Sequence, residues 1–264
     1  MAAVEDMDFE RRFGGIARLY GAPALARLAA AHVCVIGIGG VGSWAAEALA
    51  RSAVGRITLI DLDHVAESNT NRQIHALDGE FGKAKVQAMA SRIRAINPAC
   101  VVTCIEEFVV AENVAALLPP CDAVLDAIDN VRAKAALIAH CRSVGIGIVT
   151  TGAAGGRCDP TRIQVADLAR TEQDALASKL RARLRKEYGF TRDLKKKFGV
   201  ECVFSVEPIV RLEADGPACD VDEAPGDNAS LQGLNCAGYG SAVTVTAAFG
   251  FTAAARVLDR LIGS

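Results

Sequence analysis

The stretch "VCVIGIGGVGSW", Val33 to Trp44, decides the fold. Four apolar residues run into glycines at Gly37, Gly39 and Gly42, spaced G-x-G-x-x-G, and an alanine-rich segment follows. That is the form of a buried strand entering a tight turn and then a helix. Glycines let the backbone approach a phosphate closely, and the helix N-terminus offers free N–H groups. Taken alone, the spacing fits a turn without a ligand, a dinucleotide site or an ATP site.

Outward from this turn, short apolar runs ("HVCVIG", "RITLID", "VVTCIE", "DAVLDAI", "GIGIVTTG") alternate with helical patterns ("GSWAAEALARSA", "GKAKVQAMASRIRAI", "AENVAALL", "NVRAKAALIAHCRSV"). This rhythm predicts an α/β, Rossmann-like, doubly wound and mostly parallel sheet over about residues 30–155. After Gly156 the rhythm changes. "RIQVADL" and "ECVFSVEPIVRL" read as strands, "TEQDALASKLRARLRKEYG" as a long amphipathic helix and 213–233 as a polar, acidic loop. The expected organisation is a core with N-terminal helices (1–155) and an insertion with a terminal helix (156–264) packed on that core as one unit.

Composition sets bounds. The chain has 264 residues, 51% hydrophobic and 23% charged, with a net charge of −2. Any nucleic-acid contact must therefore be a local patch. Nine cysteines include no C-x-x-C pair, which excludes a zinc site built from paired knuckles. The acidic N-terminus has no apolar signal region, and reduced thiols fit a cytoplasmic setting. The segment 236–255 carries no charge over 20 residues, the length of a membrane span, yet it is rich in Gly, Ala, Ser and Thr. A buried helix is the expectation and membrane association the lesser alternative.

Residues after the glycine turn separate ATP from NAD. Asp61 ends the second strand, where its carboxylate can accept hydrogen bonds from ribose. "LDHVAESNTNRQ" then supplies Asn69, Asn71, Arg72 and Gln73. Lys83 and Lys85 stand at a helix start, where the dipole disfavours cations unless an anion is present. "VLDAIDNVRAK" ends a strand with Asp126, Asp129 and Asn130, and a carboxylate there is a natural magnesium ligand. A triphosphate needs such charge compensation and a nicotinamide does not. The plainer alternatives are a surface ion pair for Arg72, solvated charges for Lys83 and Lys85, and a helix cap for Asp129.

In this order, "GIGGVGS", "DLDHVAESNTNRQ", "GKAKV" and "DAIDN" resemble the ubiquitin-activating-enzyme-like superfamily, whose fold activates a carboxylate with ATP and magnesium. "RRFGGIARLYG", "GAAGGRCDPTRIQVADLARTEQDALASKLRARLRK" and "GVECVFSVEP" are similar to its tRNA-modifying branch. The resemblance implies ATP-dependent cyclisation of the threonylcarbamoyl group on adenosine 37 of tRNA, with loss of water. It puts Gly37, Gly39, Gly40 and Gly42 along the phosphates, Asp61 on the ribose, Asn69, Arg72 and Lys85 on the phosphates, and Asp63 and Ser68 among the nucleotide-binding residues. Arg72, Lys85 and Asp129 are the catalytic set, with Asp129 as the metal ligand and Asn130 beside it.

It further implies a homodimer, with Arg11, Arg12 and Arg18 as candidates for an arginine acting in the partner's site. Cysteine-desulfurase sulfur-relay proteins are implied partners, and a monovalent cation is a further candidate ligand. Cys236 is the thiol to watch, its plainer reading being a small buried residue. The alternatives are an adenylating enzyme for a small sulfur-carrier protein, which shares the ATP site, and a non-catalytic nucleotide-binding scaffold.

From Lys179 to Lys197, nine basic residues face only Glu187 and Asp193. Lys179, Arg183, Arg185, Lys195 and Lys196 are the candidate tRNA contacts, against the alternative of a solvated helix face. The aromatics Tyr188, Phe190 and Phe198 are few, which favours backbone and shape recognition over base stacking.

Overall fold

The computed structural model describes residues 8–209 and 240–263. Cys236 and the acidic loop 213–233 lie outside the described residues.

Among the described residues seven strands form one sheet: β1 (His32–Ile36), β2 (Arg56–Ile60), β3 (Val101–Ile105), β4 (Ala123–Asp126), β5 (Gly147–Thr151), β6 (Ile163–Asp167) and β7 (Glu201–Ser205). Their order is β3-β2-β1-β4-β5-β7-β6. All neighbours are parallel except β6 and β7. The first five strands are thus doubly wound, and the chain reverses direction across the sheet between β1 and β4. A ligand crevice opens at such a switch point, outside the carboxyl ends of the strands. In register, Ile36 pairs with Ile60 of β2 and with Asp126 of β4, so the loops after these three strands share one edge.

Helices cover both faces: α1 (Phe9–Tyr20), α2 (Ala22–Ala30), α3 (Gly42–Arg51), α4 (Lys85–Ile96), α5 (Val114–Leu117), α6 (Val131–Val144), α7 (Ala175–Glu187) and α8 (Val243–Ile262). β1 is buried along its whole length, as a central parallel strand must be. Val33 and Val35 pack toward α3, α4 and α8, while Cys34 and Ile36 pack toward α6 and α7. The strand period of two therefore feeds two cores.

From Val243 onward the uncharged segment is part of a core helix. α8 buries Val245, Phe249, Ala253, Ala254 and Val257, and packs on α3, β4 and β5. At Gly250 a Cβ would stand 2.5 Å from the Val41 carbonyl oxygen and 2.9 Å from the Trp44 Cβ, so α8 meets the start of α3 backbone to backbone. No helix among the described residues is long and apolar enough to cross a membrane.

Candidate active site

Gly37 adopts φ +84°, and a Cβ there would lie 2.9 Å from the Ala127 backbone. The turn after β1 is thereby pressed against the turn after β4. Gly42 opens α3, and its Cβ would fall 1.8 Å from the Gly37 carbonyl oxygen. Only glycine fits either position. Gly39 has open space around it, and Gly40 borders the Arg72 side chain and Thr246. Of the four glycines, Gly37 and Gly42 build the turn, Gly40 lies against Arg72 and Thr246, and Gly39 faces open space.

Asp61 locks this turn to β2. One carboxylate oxygen accepts the Ile38 N–H at 2.6 Å and the other accepts the Asp63 N–H at 2.8 Å. Burial pushes its carboxyl up, opposed by the Lys85 charge and these N–H groups. Each oxygen keeps a further lone pair for a ribose hydroxyl.

The segment between β2 and α4 folds over the crevice. A short 3-10 turn (Glu67–Asn69) buries Asn69, whose Oδ1 accepts the Ala66 N–H at 3.1 Å. The Arg72 guanidinium donates to the Ser68 carbonyl at 2.7 Å and to Asn71 Oδ1 at 2.9 Å. Its own carbonyl accepts from Trp44 Nε1 at 3.0 Å. Partial burial lowers its pKa. Lys85 is the first residue of α4, with its side chain 8% exposed and its Nζ 2.7 Å from Asp63 Oδ2. Lys83 differs: its ammonium is exposed and pairs with Glu80.

At the end of β4 the three candidate polar residues divide. Asp126 is fully buried, paired with Lys134 Nζ at 2.7 Å and accepting the Thr150 hydroxyl at 2.6 Å. Asn130 caps α6 by accepting the Arg132 and Ala133 N–H groups. Asp129 is exposed at the mouth, and the helix-capping alternative for it gives way to Asn130. Lys134 was legible only as a lysine in line with the buried stripe Leu137, Ile138 and Cys141.

The family model for the ThiF family matches residues 13–264. The chain belongs to the ThiF family. Among ThiF-family relatives it is 52% identical to tRNA threonylcarbamoyladenosine dehydratase of Escherichia coli (strain K12), over 99% of this chain and 97% of that protein. It is 47% identical to the dehydratase of the same name from Haemophilus influenzae, with the same coverage. The solved structure of the E. coli dehydratase in complex with ATP superposes with a TM-score of 0.85, at 51% identity, covering 97% of this chain and 96% of that one.

The basic stretch of this ThiF-family chain lies on α7 and the loop after it. Lys179, Lys195 and Lys196 are exposed. Arg183 pairs with Glu187 at 3.0 Å. Arg185 donates to the Thr191 carbonyl and lies over the Phe198 ring at 5.2 Å. Phe190 and Phe198 stack edge-on at 5.0 Å inside the core, so neither ring presents a face to solvent.

Proposed function

We propose that the chain catalyses the ATP-dependent dehydration of N6-threonylcarbamoyladenosine at position 37 of tRNA. The observation that carries this reading is the near full-length likeness to the dehydratases, combined with a glycine turn, Asp61, Arg72, Lys85 and Asp129 gathered at one sheet edge. The threonyl carboxylate attacks a phosphorus of ATP: at the α-phosphorus it forms an acyl adenylate and pyrophosphate leaves, and at the γ-phosphorus it forms an acyl phosphate and ADP leaves. The ureido group of the same side chain then attacks the activated carbonyl carbon. The C–O bond breaks, the former carboxylate oxygen departs on AMP or on inorganic phosphate respectively, and a ureido proton is lost, so that a ring closes with net loss of water.

In this reading the free N–H groups of the turn and of the α3 N-terminus bind the phosphates. Asp61 holds the ribose, with Asp63 keeping Lys85 in place. Arg72 and Lys85 stabilise charge on the phosphates as it develops, and Ser68 and Asn69 shape the segment that carries Arg72.

Magnesium fits this donor set. Among the described residues no cluster of three or more His, Cys, Asp or Glu could hold an ion. Asp129 would supply one carboxylate and the nucleotide the rest, the usual balance for this metal. Bound there, magnesium would neutralise phosphate charge. A homodimer belongs to the same reading. Arg12 donates to the Ile96 carbonyl at 2.9 Å within its own chain, which favours Arg11 and Arg18 for reaching a partner's crevice. The cysteine-desulfurase relay is the proposed partner system. A cytoplasmic setting belongs to the same reading.

The deciding experiment incubates the purified protein with tRNA bearing the threonylcarbamoyl group, ATP and magnesium, and follows the nucleoside by mass spectrometry. Loss of one water that depends on ATP is the expected result. An unmodified nucleoside, with ATP consumed only when a carrier-protein C-terminus is added, would replace this reading with the sulfur-carrier one.

A further inference from the structure

Asp174 joins two parts of the molecule that the nucleotide crevice does not otherwise connect. It precedes α7, and its Oδ1 caps that helix by accepting the Ala177 N–H at 2.9 Å. Its Oδ2 accepts the Ala153 N–H, also at 2.9 Å, from the loop that leaves β5. Gly152 sits so near that a Cβ would fall 2.1 Å from this same oxygen. The loop and the helix start therefore meet with no slack.

The joint is buried and charged. Arg157, with a fully buried side chain, places one guanidinium nitrogen 3.5 Å from Asp174 Oδ2 and 3.2 Å from the Gln173 carbonyl. Its Nε and other terminal nitrogen have no partner among the described residues. Gln173 has φ +52°, a backbone shape that non-glycine residues seldom adopt and that persists only where the surroundings enforce it. A helix needing only a cap would use a surface serine or aspartate; here the capping carboxylate is buried against a guanidinium and shared with another loop.

The two joined parts lie where the reaction needs them. Thr150 of β5 pairs in register with Asp126 of β4, so the 152–157 loop borders the strand end that carries Asp129. On the other side, α7 carries Lys179 and leads to Lys195 and Lys196. We infer that Asp174 is a positioning residue for the dehydration, setting the loop that walls the reaction side of the crevice from the start of the helix that faces tRNA. The inference rests on the reading of α7 as that helix.

The test is Asp174→Ser in the full chain. Serine caps a helix about as well as aspartate, but its hydroxyl is too short to hold the Ala153 N–H as well. The expected result keeps helix content, tRNA affinity and the KM for ATP, while kcat for dehydration falls at least about tenfold. Asp174→Asn, with the same shape but one acceptor oxygen, should fall in the same direction and serves if the serine variant does not fold. Wild-type kcat in either folded variant overturns the inference. So does a loss of tRNA affinity in step with kcat, because that pattern means only that α7 has been displaced. A wild-type protein that does not dehydrate tRNA fails the functional reading instead, and removes the basis of this one; that control is measured first.

Discussion

The Lys85 ammonium is almost wholly buried, yet it rests 2.7 Å from a carboxylate, Asp63, that is 53% exposed. The lysine is thus held in a dry position by a partner that water can reach. An ammonium so placed can pass from carboxylate to phosphate at little cost in reorganisation.

Lys85→Ala should therefore lower kcat/KM for the ATP-dependent step by about 2–4 kcal/mol, and Arg72→Ala by a similar amount, with nucleotide affinity changed much less. Isothermal titration with ATP beside single-turnover kinetics separates the two quantities. Equal losses in affinity and rate would mean uniform binding.

Asp129→Ala should abolish turnover with the fold intact. Asn130 supplies the side-chain cap of α6, while Asp129 is exposed at the surface and outside both hydrophobic cores. Asn130→Ala should instead cost about 1 kcal/mol of stability. Thermal denaturation and a magnesium titration of activity distinguish the pair.

Lys134→Met should destabilise the protein by about 3–5 kcal/mol, because it leaves the Asp126 carboxylate buried without its partner. The companion double variant, Asp126→Leu with Lys134→Met, should recover much of that loss. Urea unfolding of these two variants, of Asp126→Leu alone and of the wild type closes the cycle.

Replacing Lys179, Lys195 and Lys196 by Ala should weaken tRNA binding. It should also flatten the salt dependence, by about 0.7 to 0.9 in log–log slope for each phosphate that is no longer neutralised. These three are preferable to Arg183 and Arg185, which are engaged by Glu187 and Phe198 within the chain. An unchanged slope would leave them as solvated charges.

His75 is buried with neither ring nitrogen partnered among the described residues. Its pKa is lowered to about 4 by burial and by the charges of Lys85 and Arg92, with Glu80 opposing. Its folded pKa lies below the unfolded one. Stability from this residue is thus complete above about pH 6.5 and is lost as pH falls toward 4, up to about 3 kcal/mol. His75→Leu should remove that part of the acid sensitivity, read from urea midpoints between about pH 7 and pH 4.

The periodicities carried much of this architecture. The β/α alternation is local, so each of the first five strands could be read from its own residues. The place of β7 between β5 and the antiparallel β6 could not, because strand order depends on pairing between distant segments. At the candidate site, the sequence singles out Asp61, Lys85 and Asp129 by their places at strand ends and a helix start, and the strand register brings those places to one sheet edge. Asp126 looked equivalent to Asp129 in the sequence; a helix lysine eight residues on makes one structural and leaves the other at the surface. Phe190 and Phe198 stood among basic residues, and only packing shows that they belong to the core.

The packing of α8 on α3 has a consequence for how the chain is made. The strands β1 to β5 emerge from the ribosome well before residue 243, yet the groove at Val41 and Trp44 into which Gly250 fits stays open until α8 has been made. During that interval the apolar face of Val33, Val35, Leu125 and Val149 lacks part of its cover. Nascent chains arrested before α8 should therefore be more protease-sensitive, and more dependent on holding chaperones, than the released protein.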